Sequence, residues 1–180
     1  VNGSTSSSSA VNVSGGALGG NGTVSGAVTI SSTGGINLSD GAVGTLTLGS
    51  TLAINGAAGA NNLRFDLASA GSTTDKIAAT GAVTMTTAGA GVITPNQIGG
   101  SASRLTAGTY NLITGSAVPA SSNFTLATNR AFGQTFALTG TATSLQLTTT
   151  QASAASATTR RRNRGRLKFK SAWVFSAKKA

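Results

Sequence analysis

Three carboxylates are the only acidic side chains of this chain, and they limit the chemistry that it can perform. Asp40, Asp66 and Asp75 stand against thirteen Lys and Arg residues, and the sequence contains no His, Cys or Glu. Hydrolysis by paired carboxylates would need two of these aspartates in one cleft. A serine nucleophile would have no imidazole as its base, and Lys76 would be the main candidate for a Ser–Lys pair. We therefore expect a protein that is not an enzyme, with no cofactor, bound metal or small-molecule substrate.

The surroundings of the three aspartates indicate structural roles. Asp40 lies in the turn sequence Ser-Asp-Gly, where an Asp side chain commonly accepts hydrogen bonds from the local backbone, and Asp75 precedes a strand in a similar turn. Asp66 alternates with apolar residues, so we expect it beside Arg64 on the exposed face of a strand. Such a solvated pair contributes about 0–1 kcal/mol to stability.

The net charge of +10 is concentrated near the C-terminal end. Nine of the thirteen basic residues lie between residues 160 and 180, which contain no acid, and the rest of the chain is close to neutral. The residues that we predict to bind an anionic polymer or surface are Arg160, Arg161, Arg162, Arg164, Arg166, Lys168 and Lys170. The partner would be a glycan, lipopolysaccharide, acidic lipid or nucleic acid, because basic segments are attracted to anionic membranes and neutralise phosphate.

Other interpretations of this basic tail remain open. It can be a solvated end without a dedicated partner. Alternatively, residues 167–170 alternate like a strand and can pair with the last strand of the body, where their charges would oppose edge-to-edge aggregation.

The elements that must position these residues are short strands. Between residues 19 and 56, segments such as Val28-Thr-Ile30, Leu46-Thr-Leu48 and Leu52-Ala-Ile54 alternate aliphatic and small residues, with Gly-, Ser- and Asn-rich turns between them. The segment centres lie roughly 6–12 residues apart, which leaves no room for helices. The sequence therefore predicts an all-β protein and excludes a doubly wound α/β fold.

Composition divides the chain into four parts. They are a Ser-rich approach over residues 1–10, a β-rich body over 11–150, a small-residue spacer over 151–159 and the basic tail over 160–180. Within the body, Pro95 is expected to end a strand because proline cannot donate to a ladder. The nearby aromatic residues Phe124, Phe132 and Phe136 are expected to plug the open end of the core.

Several runs carry a likeness to a known family. GNGTVSGAVTI (20–30), GAVGTLTLGSTLAI (41–54), LRFDL (63–67) and STTDKIAATGAVTM (72–85) resemble the autotransporter-associated β-strand repeat of bacterial surface proteins. The resemblance covers roughly residues 11–150. It implies a parallel β-solenoid that is exported and displayed outside the cell. The irregular strand spacing predicts short irregular coils in such a solenoid, and the same spacing also fits a β-sandwich.

Two functions follow as expectations. The first is an extracellular or cell-surface structural protein, such as an adhesin-like passenger, a spacer or a filament subunit, that self-associates head to tail through exposed strand edges. The second is a binding module that holds an anionic polymer or surface through its basic tail.

Overall fold

The computed structural model describes residues 1–7, 9–68, 73–99 and 105–151. These residues form an all-β structure, and within them the one helical element is a short 3-10 turn at Ser121–Asn123. The strands are β1 Val11–Val13, β2 Ala17–Leu18, β3 Thr23–Val24, β4 Val28–Ser31, β5 Gly35–Asn37, β6 Thr45–Leu48, β7 Leu52–Asn55, β8 Asn61–Ala68, β9 Lys76–Ala79, β10 Val83–Met85, β11 Gly91–Ile98, β12 Gly108–Thr114, β13 Thr125–Leu126, β14 Arg130–Ala131, β15 Gln134–Thr141 and β16 Ser144–Gln151. The predicted fold class, all-β, is confirmed.

The strands belong to three sheets. The first has the order β1-β4-β7-β10, the second β13-β11-β8-β5-β2 and the third β14-β15-β16-β12-β9-β6-β3. From β1 to β9, each strand pairs in parallel with the strand three positions further along the chain. We call three successive strands, one from each sheet, a layer.

Aliphatic residues in neighbouring layers lie directly over one another. The register columns are Val28, Leu52 and Val83 in the first sheet, Ile36, Leu63 and Ile93 in the second, and Leu46, Ile77 and Ile113 in the third. All of these side chains are buried in one continuous core. The period-2 alternation of the sequence thus directs every second residue inward, and stacking removes its apolar surface from water.

Pro95 does not end a strand, which corrects the sequence-based expectation. It lies inside β11 and pairs with Phe65 of β8. Along a strand, the backbone groups of successive residues point alternately to the two neighbouring strands. The Pro95 nitrogen therefore faces the same side as the Ile93 carbonyl. That carbonyl accepts a hydrogen bond from the Ala127 N–H beside β13. Because β13 pairs only with Val92 and Ile93, no ladder bond is required from Pro95 on that side.

The C-terminal part of the body departs from parallel pairing. β15 and β16 form an antiparallel hairpin, and β16 pairs antiparallel with β12. Phe124 and Phe136 are buried in the core here, as expected. Phe132 is not: it remains 38% exposed with a φ of 53°, and its ring centroid lies 6.4 Å from that of Phe136. Its position in a tight turn between β14 and β15 holds its ring at the surface.

The Ser-rich N-terminal approach is attached to the body. Ser4 forms a parallel bridge with Thr23, and the Thr23 N–H donates to the Gly3 carbonyl at 2.8 Å. In the described ranges, no helix is long and apolar enough to cross a membrane.

Candidate functional site

The three aspartates lie at one corner of the body, where the second and third sheets meet. Asp66 is near the end of β8, Asp75 directly precedes β9, and Asp40 lies in the loop between β5 and β6. We call this region the aspartate corner and define it by Ser39, Asp40, Gly41, Gly44, Asp66, Asp75 and Asn96. Residues far apart in sequence are brought together here because β5, β8 and β11 are neighbours in the second sheet.

Asp66 joins three layers. Its Oδ1 atom accepts hydrogen bonds from the Ser39 hydroxyl at 2.8 Å and from Asn96 Nδ2 at 2.5 Å, and its Oδ2 atom accepts one from the Gly41 N–H at 2.7 Å. Asn96 is the residue paired with Asp66 in β11, whereas Ser39 and Gly41 follow β5. One carboxylate therefore connects residues of the preceding layer, of its own layer and of the following layer.

The predicted surface position of Asp66 is wrong. Its side chain is fully buried, while Arg64 is exposed. The reason is that the loop after β5 covers the outer face of β8 at Asp66 and supplies donors to its carboxylate. A buried carboxylate is tolerated when hydrogen bonds replace the lost water.

Asp75 completes the corner. Its Oδ1 atom accepts a hydrogen bond from the Gly44 N–H at 2.7 Å, and its Oδ2 atom accepts one from the Asp66 N–H at 2.6 Å. Burial raises the pKa of Asp75 to about 6; the two N–H donors oppose this shift, and the carboxylates of Asp66 and Asp40 reinforce it. Asp75 binds backbone N–H groups as expected, but from other segments rather than from its own turn.

Asp40 has the predicted local role. Its Oδ1 atom accepts a hydrogen bond from the Ala42 N–H at 3.1 Å, and its side chain is exposed. This is an Asx-type contact two residues along the chain, of the kind that stabilises turns.

The arrangement favours a mechanical role for the corner. The carboxylates of Asp66 and Asp75 are buried, and each of their oxygens already accepts at least one hydrogen bond. A general acid or base must instead reach the proton that it transfers. Among the described residues, no group of three or more His, Cys, Asp or Glu is arranged to hold a metal ion.

A second buried polar contact was missed by sequence reasoning. Asn61 opens β8 and is fully buried; its Oδ1 atom accepts a hydrogen bond from the Gly56 N–H at 2.8 Å. Its Nδ2 atom donates to the Gly34 carbonyl at 2.7 Å and to the Ser32 carbonyl at 3.2 Å. The short interval between the Asn55-Gly56 turn and Asn61 was the available signal, but only the layer arrangement places Gly34 beside them.

The predicted anion-binding residues, Arg160 to Lys170, lie outside the described residues. Within the described ranges, basic side chains occur at Arg64 on β8, Lys76 on β9 and Arg130 on β14. Arg64 and Arg130 are exposed and Lys76 is half-buried. They lie on different strands, so the sequence-based interpretation of a charge concentrated in the tail is unchanged.

Neither a protein-family model nor a curated protein sequence matches this chain. The likeness to the autotransporter-associated repeat therefore depends on the sequence motifs alone.

Proposed function

We propose that the body is a parallel β-solenoid and serves as a non-enzymatic structural protein outside the cell or at a bacterial cell surface. The observation that carries this proposal is the pairing of each strand from β1 to β9 with the third strand after it. All three sheets follow this rule. Such a pattern is expected if the chain turns once around a common core for every three strands. A stiff rod of this kind suits an adhesin-like passenger, a spacer or a filament subunit.

The packing supports a load-resisting role. Neighbouring layers are separated by about 4.8 Å, and backbone hydrogen bonds in all three sheets join each layer to the next. The buried aliphatic side chains of successive layers stack on one another. The aspartate corner and Asn61 add side-chain bonds between layers in place of disulfides, which a chain without Cys cannot form. These features give rigidity with few large side chains.

A cysteine pair tests the proposed winding. Thr29 and Ala53 are register partners in adjacent parallel strands, and both alternate with buried residues. Their Cα atoms are separated by about one strand spacing, within the roughly 4.4–6.8 Å that a disulfide accepts. We expect the T29C/A53C variant to oxidise to an intramolecular disulfide.

The matched control is T29C/T84C. Thr84 pairs with Ala53, so it lies two strands from Thr29, too far for a disulfide. If both variants form the disulfide to the same extent, or if only T29C/T84C forms it, the result would contradict the parallel winding and favour the β-sandwich.

Self-association is the proposed mode of action of this scaffold. β1 and β2 are the terminal strands of the first and second sheets, and at the other end β13 and β14 terminate the second and third. Among the described residues no further strand pairs with these edges, and an unpaired edge can accept a strand from a second copy. Size-exclusion chromatography with light scattering and negative-stain microscopy should show elongated head-to-tail assemblies, whereas a monodisperse monomer at high concentration would argue against a filament subunit.

The second candidate function is anchoring of this scaffold to an anionic polymer or surface through the basic tail. The feature that favours it is the concentration of nine basic residues between 160 and 180, beside a body that is almost neutral. Counterion release would then dominate the affinity and make it dependent on salt.

A further inference from the structure

Asn-Gly and Asp-Gly pairs are the dipeptides of a protein chain that most readily form a succinimide without an enzyme. The glycine nitrogen loses its proton to water or base and attacks the side-chain carbonyl carbon of the preceding residue. Asparagine then releases ammonia, aspartic acid releases water, and the resulting succinimide adds water to give aspartate or isoaspartate. The chain contains Asn2-Gly3, Asn21-Gly22, Asn55-Gly56 and Asp40-Gly41.

The Asn55-Gly56 pair is held in an unreactive arrangement. Asn55 is exposed, as the reaction requires, but Gly56 is buried and its N–H donates to Asn61 Oδ1 at 2.8 Å. Asn61 cannot easily turn away, because its Nδ2 atom is bonded to the carbonyls of Gly34 and Ser32. The nitrogen that would attack is therefore engaged as a donor to a fixed, buried acceptor.

The Asp40-Gly41 pair has the same protection from another side chain. The Gly41 N–H donates to Asp66 Oδ2 at 2.7 Å, and the other oxygen of Asp66 is held by Ser39 and Asn96. Loss of the Gly41 proton would place a negative nitrogen against a buried carboxylate, which is electrostatically unfavourable.

The remaining two pairs are less protected. The Gly22 N–H donates to the carbonyl of the exposed residue Val1 at 2.8 Å. Asn2 and Gly3 are both exposed, and among the described residues the Gly3 N–H has no hydrogen-bond acceptor.

We propose that Asn2 is the preferred site of deamidation in the folded protein, and that the side chains of Asn61 and Asp66 protect the Asn55-Gly56 and Asp40-Gly41 turns from succinimide formation. The bonds that connect the layers thereby also preserve the covalent structure of the turns between them.

Peptide mapping by mass spectrometry tests this proposal on the full chain. The protein is aged in mildly alkaline buffer with and without denaturing urea, and the conversion of each pair is followed over time. We expect deamidation at Asn55 to be roughly tenfold or more slower in the folded protein than in urea, the factor that one buried hydrogen bond supplies. Asn2 should react at similar rates in both. Equal rates for Asn55 in the two conditions, or faster reaction at Asn55 than at Asn2 in the folded protein, would overturn the proposal.

The Asn61→Ser variant separates the hydrogen bond from the fold. It removes the acceptor for Gly56, so deamidation at Asn55 should accelerate toward the rate in urea while Asn2 is unchanged. Asn62→Ser is the matched control, because Asn62 is the exposed neighbour on the same strand. If Asn61→Ser retains its circular dichroism spectrum and Asn55 stays slow, Asn61 is not the protecting group. If the variant unfolds, the comparison of the folded and urea-treated wild type decides.

Discussion

Asp75 Oδ2 accepts a 2.6 Å hydrogen bond from the backbone N–H of Asp66, so one buried aspartate binds the main chain of the other. Each carboxylate also binds a glycine of the loop between β5 and β6, Gly41 for Asp66 and Gly44 for Asp75. This loop is therefore held to β8 and to the start of β9 by the same two residues. Loss of either carboxylate should loosen the same corner of the body.

The first prediction concerns pH. The pKa of Asp75 is raised from 3.8 to about 6 in the folded state. A raised pKa means that the folded protein binds the proton more tightly than the unfolded chain, so this contribution to stability is full below pH 3.8 and is lost as the pH rises through 6. Urea unfolding should give a free energy about 1–2 kcal/mol larger at pH 5 than at pH 8 from this group.

Asp75→Asn is the control for this pH dependence. The variant has no titrating group at position 75, so its stability should change less between pH 5 and pH 8 than that of the wild type. The same pH dependence in both proteins would assign the effect to other groups.

The second prediction concerns the acceptor capacity of Asp66. Asp66→Asn replaces one acceptor oxygen with an NH₂ group, which would face a donor from Gly41 or from Ser39 and Asn96. A buried donor without an acceptor costs about 1–3 kcal/mol. Chemical denaturation should show that loss. Asp40→Asn, at the exposed member of the corner, should change stability by no more than about 0.5 kcal/mol, and equal effects of the two substitutions would contradict the proposed role of Asp66.

The third prediction concerns the core columns. Leu52 is fully buried between Val28 and Val83 in the first sheet. Leu52→Ala should lower the free energy of unfolding by about 2–5 kcal/mol through lost burial and the cavity left behind. Ala53→Ser, on the outward side of the same strand, provides the comparison and should have little effect on the unfolding midpoint.

The fourth prediction separates the body from the basic tail. The full chain should be retained on heparin and on DNA columns at low salt and elute as salt increases, whereas a chain that ends at Gln151 should pass through. Replacement of Arg160, Arg161 and Arg162 by Gln should lower the eluting salt concentration, because fewer counterions are released. Retention without the tail, or retention that ignores salt, would exclude the tail as the binding element.

Much of the fold follows from residue alternation. Val28 and Ile30 in one segment, and Leu52 and Ile54 in another, identify strands with one buried face, and the short intervals between segments exclude helices. No local sequence pattern shows that each strand from β1 to β9 pairs with the third strand after it. The partners of Leu52 lie one layer before and one layer after it, so its position depends on how the intervening turns direct the chain.

The aspartate corner shows why candidate sites are harder to predict. Asp66 occupies an outward position in an alternating strand, so its burial depends on the loop after β5, which lies elsewhere in the sequence. The two carbonyl groups that accept hydrogen bonds from Asn61, those of Ser32 and Gly34, are likewise supplied by the preceding layer. Asp40 was predictable because its hydrogen-bond partner is only two residues away.

Because each strand from β1 to β9 pairs with the third strand after it, the number of layers can change without a change in the cross-section of the body. A duplicated or deleted layer would meet the same three ladders and the same aliphatic columns, so its cost would arise mainly at the two contacts with its neighbours. The antiparallel strands β14, β15 and β16 do not have this property, because among the described residues the third sheet ends on β14, which runs opposite to β12. We therefore expect changes in the number of layers to be best tolerated before β12.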